Sequence, residues 1–158
     1  MNLNFIDTTT TLQYQVSMAL LLSNIFTITG AAIFFVFGIV YFYKSSSVKN
    51  HCSNVQKKLE ELGLHNKIML FALMRGAGGG AIALATIIIW LQLEYSKYKL
   101  PWISLAILIT ASLFFLASLN AMLMVKRNTT IRPPIAILIL AMFFIVAGYL
   151  FSISLVNI

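Results

Sequence analysis

Four long apolar stretches divide the chain, over residues 16–43, 68–93, 101–125 and 133–156. Each is longer than the ~20 residues an α-helix needs to cross about 30 Å of hydrocarbon. None alternates apolar with polar at the two-residue period of an outer-membrane strand, and each is apolar on every face. The pattern predicts an all-α protein. Its fold class is an integral membrane four-helix transmembrane bundle, with residues 1–158 as a single membrane domain. The extra length implies tilt, or helix continuing beyond the lipid.

Between the stretches the signals are local. Ser53 to Gln56 fits a capping box, and Val55, Leu59 and Leu62 fall on one helical face before Gly63 offers a stop. This predicts a short helix over about residues 54–62 in the first loop, a solvated connector or a docking element. Pro133 and Pro134 suit a helix's first turn, where a missing N–H costs nothing, and mark the start of the fourth span. Trp90, Tyr95, Tyr98 and Trp102 bracket the second loop, and Tyr41 and Tyr43 close the first span. Rings with a polar tip are expected at headgroup depth. No internal repeat suggests an array or an inverted-repeat transporter.

Composition sharpens the class. Only 9% of residues are charged, against 60% apolar. A soluble domain carries about 25% charged residues, so this chain cannot cover a water-facing surface. Cys52 is the only cysteine, which excludes an intrachain disulfide. Nearly all charge lies in the connections. Lys44, Lys49, Lys57, Lys58 and Lys67 fall in the first loop, and Lys126, Arg127 and Arg132 in the third; the second has only Lys97 and Lys99. Basic loops stay cytoplasmic. The first and third loops are therefore expected in the cytoplasm, with both termini outside. The asymmetry explains the net charge of +7 without a nucleic-acid partner. The start of the chain lacks a basic segment, and its first apolar run is long enough to span. It reads as a retained helix rather than a signal peptide.

One charge breaks the apolar pattern. Arg75 stands eight residues past Lys67 in the second span, about 12 Å deep at 1.5 Å per residue. Arg at mid-membrane costs roughly 2.5–3.5 kcal/mol, less off-centre. Its side chain can lean back towards the headgroups, so a structural role is the plain alternative to a ligand role. Its neighbours raise the interest. Gly76-Ala77-Gly78-Gly79-Gly80-Ala81 follows at once, and each glycine costs about 0.8–1 kcal/mol against Ala in a helix. Close packing would offset that, through the small-residue pairs Gly76–Gly80 and Ala77–Ala81 against Gly30, Ala31 and Gly38, or against another copy. A cavity beside Arg75 would also offset it. Asn120, near the inner end of the third span, is the expected neutral partner for the guanidinium. An anionic-lipid or amphipathic-ligand site is thus expected from Arg75, Asn120, Gly79 and Arg132, with anionic headgroups drawn by Lys126, Arg127 and Arg132. Asn24, with Ser23 and Thr27, reads as a hydrogen bond between helices on the outer side.

Several chemistries lack their residues. Asp7, Glu60, Glu61 and Glu94 all fall outside the spans, which counts against proton-coupled transport. His51 and His65 with Cys52 make a poor zinc set. No catalytic residues, metal or cofactor are assigned, and the reading leans away from an enzyme. Size and a second-span arginine are similar to the membrane-associated glutathione-transferase and eicosanoid family. Where that family carries Asn and Glu, however, this chain has Gly79 and Ile82, so membership is not assigned. The layout is similar to that of small bacterial inner-membrane proteins, which sets the expected location. The expected function is non-catalytic: binding lipid or an amphipathic anionic ligand, or packing as a partner subunit or homo-oligomer through the Gly76–Gly80 face. The alternative is an intramembrane enzyme or small transporter anchored on Arg75.

Overall fold

In hydrocarbon a backbone N–H has no water to bond, so a spanning segment must satisfy its own polar groups, and a helix does so along its length. The computed structural model describes residues 3–44, 64–128 and 135–154. They form four helices: α1 (Leu3–Lys44), α2 (Leu64–Tyr98), α3 (Pro101–Asn128) and α4 (Ile135–Ser154). No strand occurs among the described residues. Each helix holds a stretch long and apolar enough to cross a membrane: Tyr14–Tyr43, Ala72–Tyr98, Pro101–Met124 and Ile135–Ser154. The all-α transmembrane bundle expected from the sequence is therefore what the chain forms. The second stretch ends later than the residue pattern suggested, because the helix runs on through Glu94 and Tyr95. The expected 54–62 helix, Pro133, Pro134 and Arg132 lie outside the described residues.

α1 is the organising helix, packing most extensively against α2 and α4, while α3 closes the bundle against α2 and α4. The register follows from pairs of contacts. Asn24 meets Gln92 and Gly38 meets Gly78, so fourteen residues forward along α1 are fourteen back along α2. The two helices are antiparallel with no slip between those points. On the other side, Gly30 meets Ala141 and Ile145, while Thr27 meets Gly148. α4 is thus also antiparallel to α1. The start of α1, the α2–α3 connector and the end of α4 consequently share one end of the bundle.

Lipid tails are as apolar as leucine, so burying one helix on another gains little from the hydrophobic effect, and close van der Waals packing has to supply the rest. Glycine allows that approach. A Cβ on Gly38 would stand 2.8 Å from Gly78 O, and one on Gly78 would stand 2.7 Å from Phe42 N. A Cβ on Gly30 would lie 3.0 Å from Ala141 O. One on Gly148 would run into Thr27 Oγ1 and stand 3.0 Å from Thr27 N. Around these points Ala31, Phe34, Ala81, Ala85, Ile88, Ala111 and Ala141 are fully enclosed. Phe34 meets the edge of Phe114 at 5.6 Å between centroids, which carries α1 across to α3.

The α2–α3 connector is only Lys99 and Leu100. Lys99 takes a left-handed φ of 53°, and its N–H donates to Tyr95 O at 2.8 Å, closing the helix in the manner of an αL cap. Pro101 then opens α3, where its missing N–H removes nothing.

These contacts separate two glycines of one run. Gly78→Ala should lower the thermal unfolding midpoint in detergent, by the equivalent of roughly 1–3 kcal/mol, because the α1 backbone must move. Gly80→Ala, whose Cβ would meet nothing within 4 Å among the described residues, should be neutral or stabilising. Equal midpoints for the two variants would show that the α1–α2 contact is not made through Gly78.

Candidate functional site

The core seam of α2 reads Gly78, Ala81, Ala85, Ile88, Gln92, Tyr95, all buried. Spacings of three and four residues keep this seam on one face of the helix. The seam decides which members of the glycine run pack. Gly78 faces α1, and Ala81 is fully buried beside it. Gly76, Ala77 and Gly80 are exposed and Gly79 half-buried, and among the described residues a Cβ on Gly76, Gly79 or Gly80 would meet nothing within 4 Å. Among those residues, the expected pairs Gly76–Gly80 and Ala77–Ala81 are therefore not the contact α2 makes with its neighbours. Of the four residues only Ala81 lies on the inward seam, and the close contact falls to Gly78.

Arg75 lies just before this run, seven residues past Ile68, where the apolar stretch of α2 begins in the sequence, or about 10 Å along the axis. α2 continues in the other direction to Leu64, so the helix carries past the arginine rather than ending at it. The side chain is exposed on the outer surface of the bundle. Its stem can lean towards the helix N-terminus and carry the guanidinium back towards the start of the apolar stretch. Asn120 is also exposed, on α3. Lys126 and Arg127 are exposed in the last turn of α3 at this same end.

At the opposite end, a polar cluster emerges that the residue pattern only half revealed. Asn24 Oδ1 accepts from Gln92 Nε2 at 2.7 Å and from Ser96 Oγ at 2.8 Å. Ser23 Oγ donates to Gly148 O at 2.9 Å, tying α1 to α4. Ser152 Oγ donates to Tyr95 OH at 2.6 Å, and that hydroxyl faces Ser152 O at 3.4 Å, tying α4 to α2. The expected interhelical role of Asn24 is what the structure shows. Its partners Gln92 and Ser96 went unnoticed, although Gln92 interrupts an apolar run and that interruption was the available signal. Tyr95 corrects another expectation: at 1% exposure it is a core residue rather than an interfacial anchor. Trp90, Tyr98 and Trp102 are each more than 60% exposed, as rings at an interface would be. Among the described residues, no buried side-chain N or O lacks a hydrogen-bond partner. The cluster is thus internally satisfied and holds three helices in register.

The two ends offer different chemistry. A guanidinium presents a planar fork of donors that fits phosphate or carboxylate, and bare glycine backbone allows close approach. Asp7 and Glu94, the only carboxylates among the described residues, belong to the other end, where Glu94 accepts from Lys97 Nζ at 3.1 Å. The Arg75 region therefore has an anion-binding group but no described carboxylate to act as a base. No protein family matches the chain, and no curated protein or solved structure matches it either.

Asn24→Leu should lower the unfolding midpoint by the equivalent of about 1–2 kcal/mol, because it removes two bonds and leaves the buried Gln92 amide without its acceptor. A midpoint within error of wild type would mean that the cluster does not lock α1 to α2.

Proposed function

We propose that this is a non-catalytic integral membrane protein that binds an anionic amphiphile, a lipid or a lipid-like ligand, at the end of the bundle marked by Arg75. In this reading that end is cytoplasmic, both chain termini are outside and the membrane is a bacterial plasma membrane. The excess of Lys and Arg in the first and third loops supports that orientation. The carrying observation is that Arg75 is exposed on the bundle surface beside Gly76, Gly79 and Gly80, whose Cβ positions meet nothing among the described residues. A cation within the apolar stretch, whose long stem can reach back towards the headgroups, gains most from an anionic group at the hydrocarbon boundary. Bare backbone one turn along lets the apolar part of the same molecule lie against the helix.

A second reading has its own observation. Gly76 and Gly80 gain no packing from within the chain among the described residues, and small residues four apart are a common docking face for another transmembrane helix. Here the protein is a partner subunit, or a homo-oligomer, joined through that face.

Binding of a labelled anionic amphiphile to the purified protein in non-ionic detergent tests the first reading. Arg75→Gln removes the charge and should weaken binding about tenfold or more, the range for losing hydrogen bonds to a charged group. Gly80→Ile, which fills the open surface, should weaken it to a smaller degree. Unchanged affinity in Arg75→Gln would overturn the reading, and self-association lost only in Gly80→Ile would favour the second.

A further inference from the structure

We infer that the occupant of this site is an anionic phospholipid of the surrounding bilayer, entering sideways and laying one acyl chain along the outer face of α2; the inference rests on the anionic-amphiphile reading above. The first argument is access. Arg75 is on the outside of the bundle, whereas the enclosed seam of α2 runs through Gly78, Ala81 and Ala85 on another face. A ligand reaching the guanidinium comes from the lipid phase rather than through a pore in the bundle.

The second argument is level. With a connector of only Lys99 and Leu100, α2 and α3 run back from one turn. Tyr98 to Arg75 spans as many residues as Pro101 to Met124, so Arg75 and Met124 stand at one height. Lys126 and Arg127 lie two and three residues further on, about 3–4.5 Å nearer the surface. An arginine side chain at this position can lean the same way, which brings three exposed cations into one layer. Among the described residues no carboxylate shares that layer. A sheet of lipid phosphates is the complement that such a layer fits.

The third argument is the track above the charge. Gly79, Ile82, Thr86 and Leu93 follow Arg75 along one flank of α2 at helical spacing, and all are half-buried or exposed. Gly79, one turn from Arg75, offers only backbone, so the glycerol region can sit close. Thr86 would be an awkward neighbour for an acyl chain, but its Oγ1 donates to Ile82 O at 2.9 Å and turns its proton back into the helix. The flank is therefore polar at Arg75 and apolar beyond it, in the order of a phospholipid's own parts.

The test uses the full chain in nanodiscs of phosphatidylcholine containing a minor fraction of phosphatidylglycerol, with retained lipids identified by native mass spectrometry. Wild type should retain phosphatidylglycerol above its bulk fraction. Arg75→Gln should lose about tenfold of that enrichment, and the pair Lys126→Gln with Arg127→Gln about fivefold or more. Gly79→Phe, which blocks the track and leaves every charge, should also reduce it. Labelled dodecanoate in detergent separates the two proposals. If dodecanoate binds in an Arg75-dependent way while phosphatidylglycerol is neither enriched nor competes, the site takes a free amphiphile and this inference falls while the broader reading survives. If neither binds, both fall. Enrichment that survives Arg75→Gln and Gly79→Phe alike would place the lipid elsewhere and overturn the inference.

Discussion

Everything in this bundle depends on how closely two helical backbones can approach inside an apolar solvent. Water drives side chains together, but acyl chains do not, so α1 cannot be held by burying leucine against leucine. The Gly38–Gly78 approach and the Gly30–Ala141 approach supply contacts of another kind. They let main-chain atoms touch and put many weak attractions within range at once. The large exposed side chains, such as Trp90, Leu113 and Phe143, lie outside this framework and face what would be lipid. The same constraint explains why α1 is central. It carries glycines aimed at two neighbours, Gly38 towards α2 and Gly30 towards α4.

The two halves of the α1–α2 contact are then fastened by different physics. Near the start of α2 the helices meet through absent side chains. Near the connector they meet through hydrogen bonds among Asn24, Gln92, Ser96, Tyr95 and Ser152. Van der Waals contact between glycines gives proximity but specifies register weakly, since a neighbouring residue could slide into place. A satisfied amide network is specific, because moving one residue along leaves buried donors and acceptors unmatched. Together they account for the fixed antiparallel register of α1 and α2 over fourteen residues.

How much of this was legible in the chain differs by level. The number of spans, the all-α class and the interhelical role of Asn24 follow from hydropathy and from the cost of an unpaired amide in lipid. The phase of each helix does not. Four glycines in five residues say that something approaches closely, but not which of them faces inward. That is settled by the seam from Gly78 to Tyr95, whose members are visible only once neighbours exist to bury them. Tyr95 illustrates the same point. Beside Trp90 and Tyr98 it resembles an interfacial ring, and its burial against Ser152 depends on where α4 ends. The match of Asn120 to Arg75 rests on depth, and both residues are exposed on the bundle.

A single run of glycines thus meets two demands, separated by helical phase. Gly78 is required by the fold, and replacing it must move α1. Gly76, Gly79 and Gly80 touch nothing described within the chain, so the fold alone gives no reason to keep them small. Their helix cost is about 0.8–1 kcal/mol each in water, and the proposed reading offsets it with an occupant from outside the chain, a lipid or another helix. Arg75 discriminates between these, because a cation at the edge of the same open surface favours an anionic neighbour over an apolar helix. Glycine that packs and glycine left open can stand side by side, since one residue step turns the helix by 100°. On the proposed reading, the boundary between scaffold and site is therefore an angle around α2 rather than a position along it.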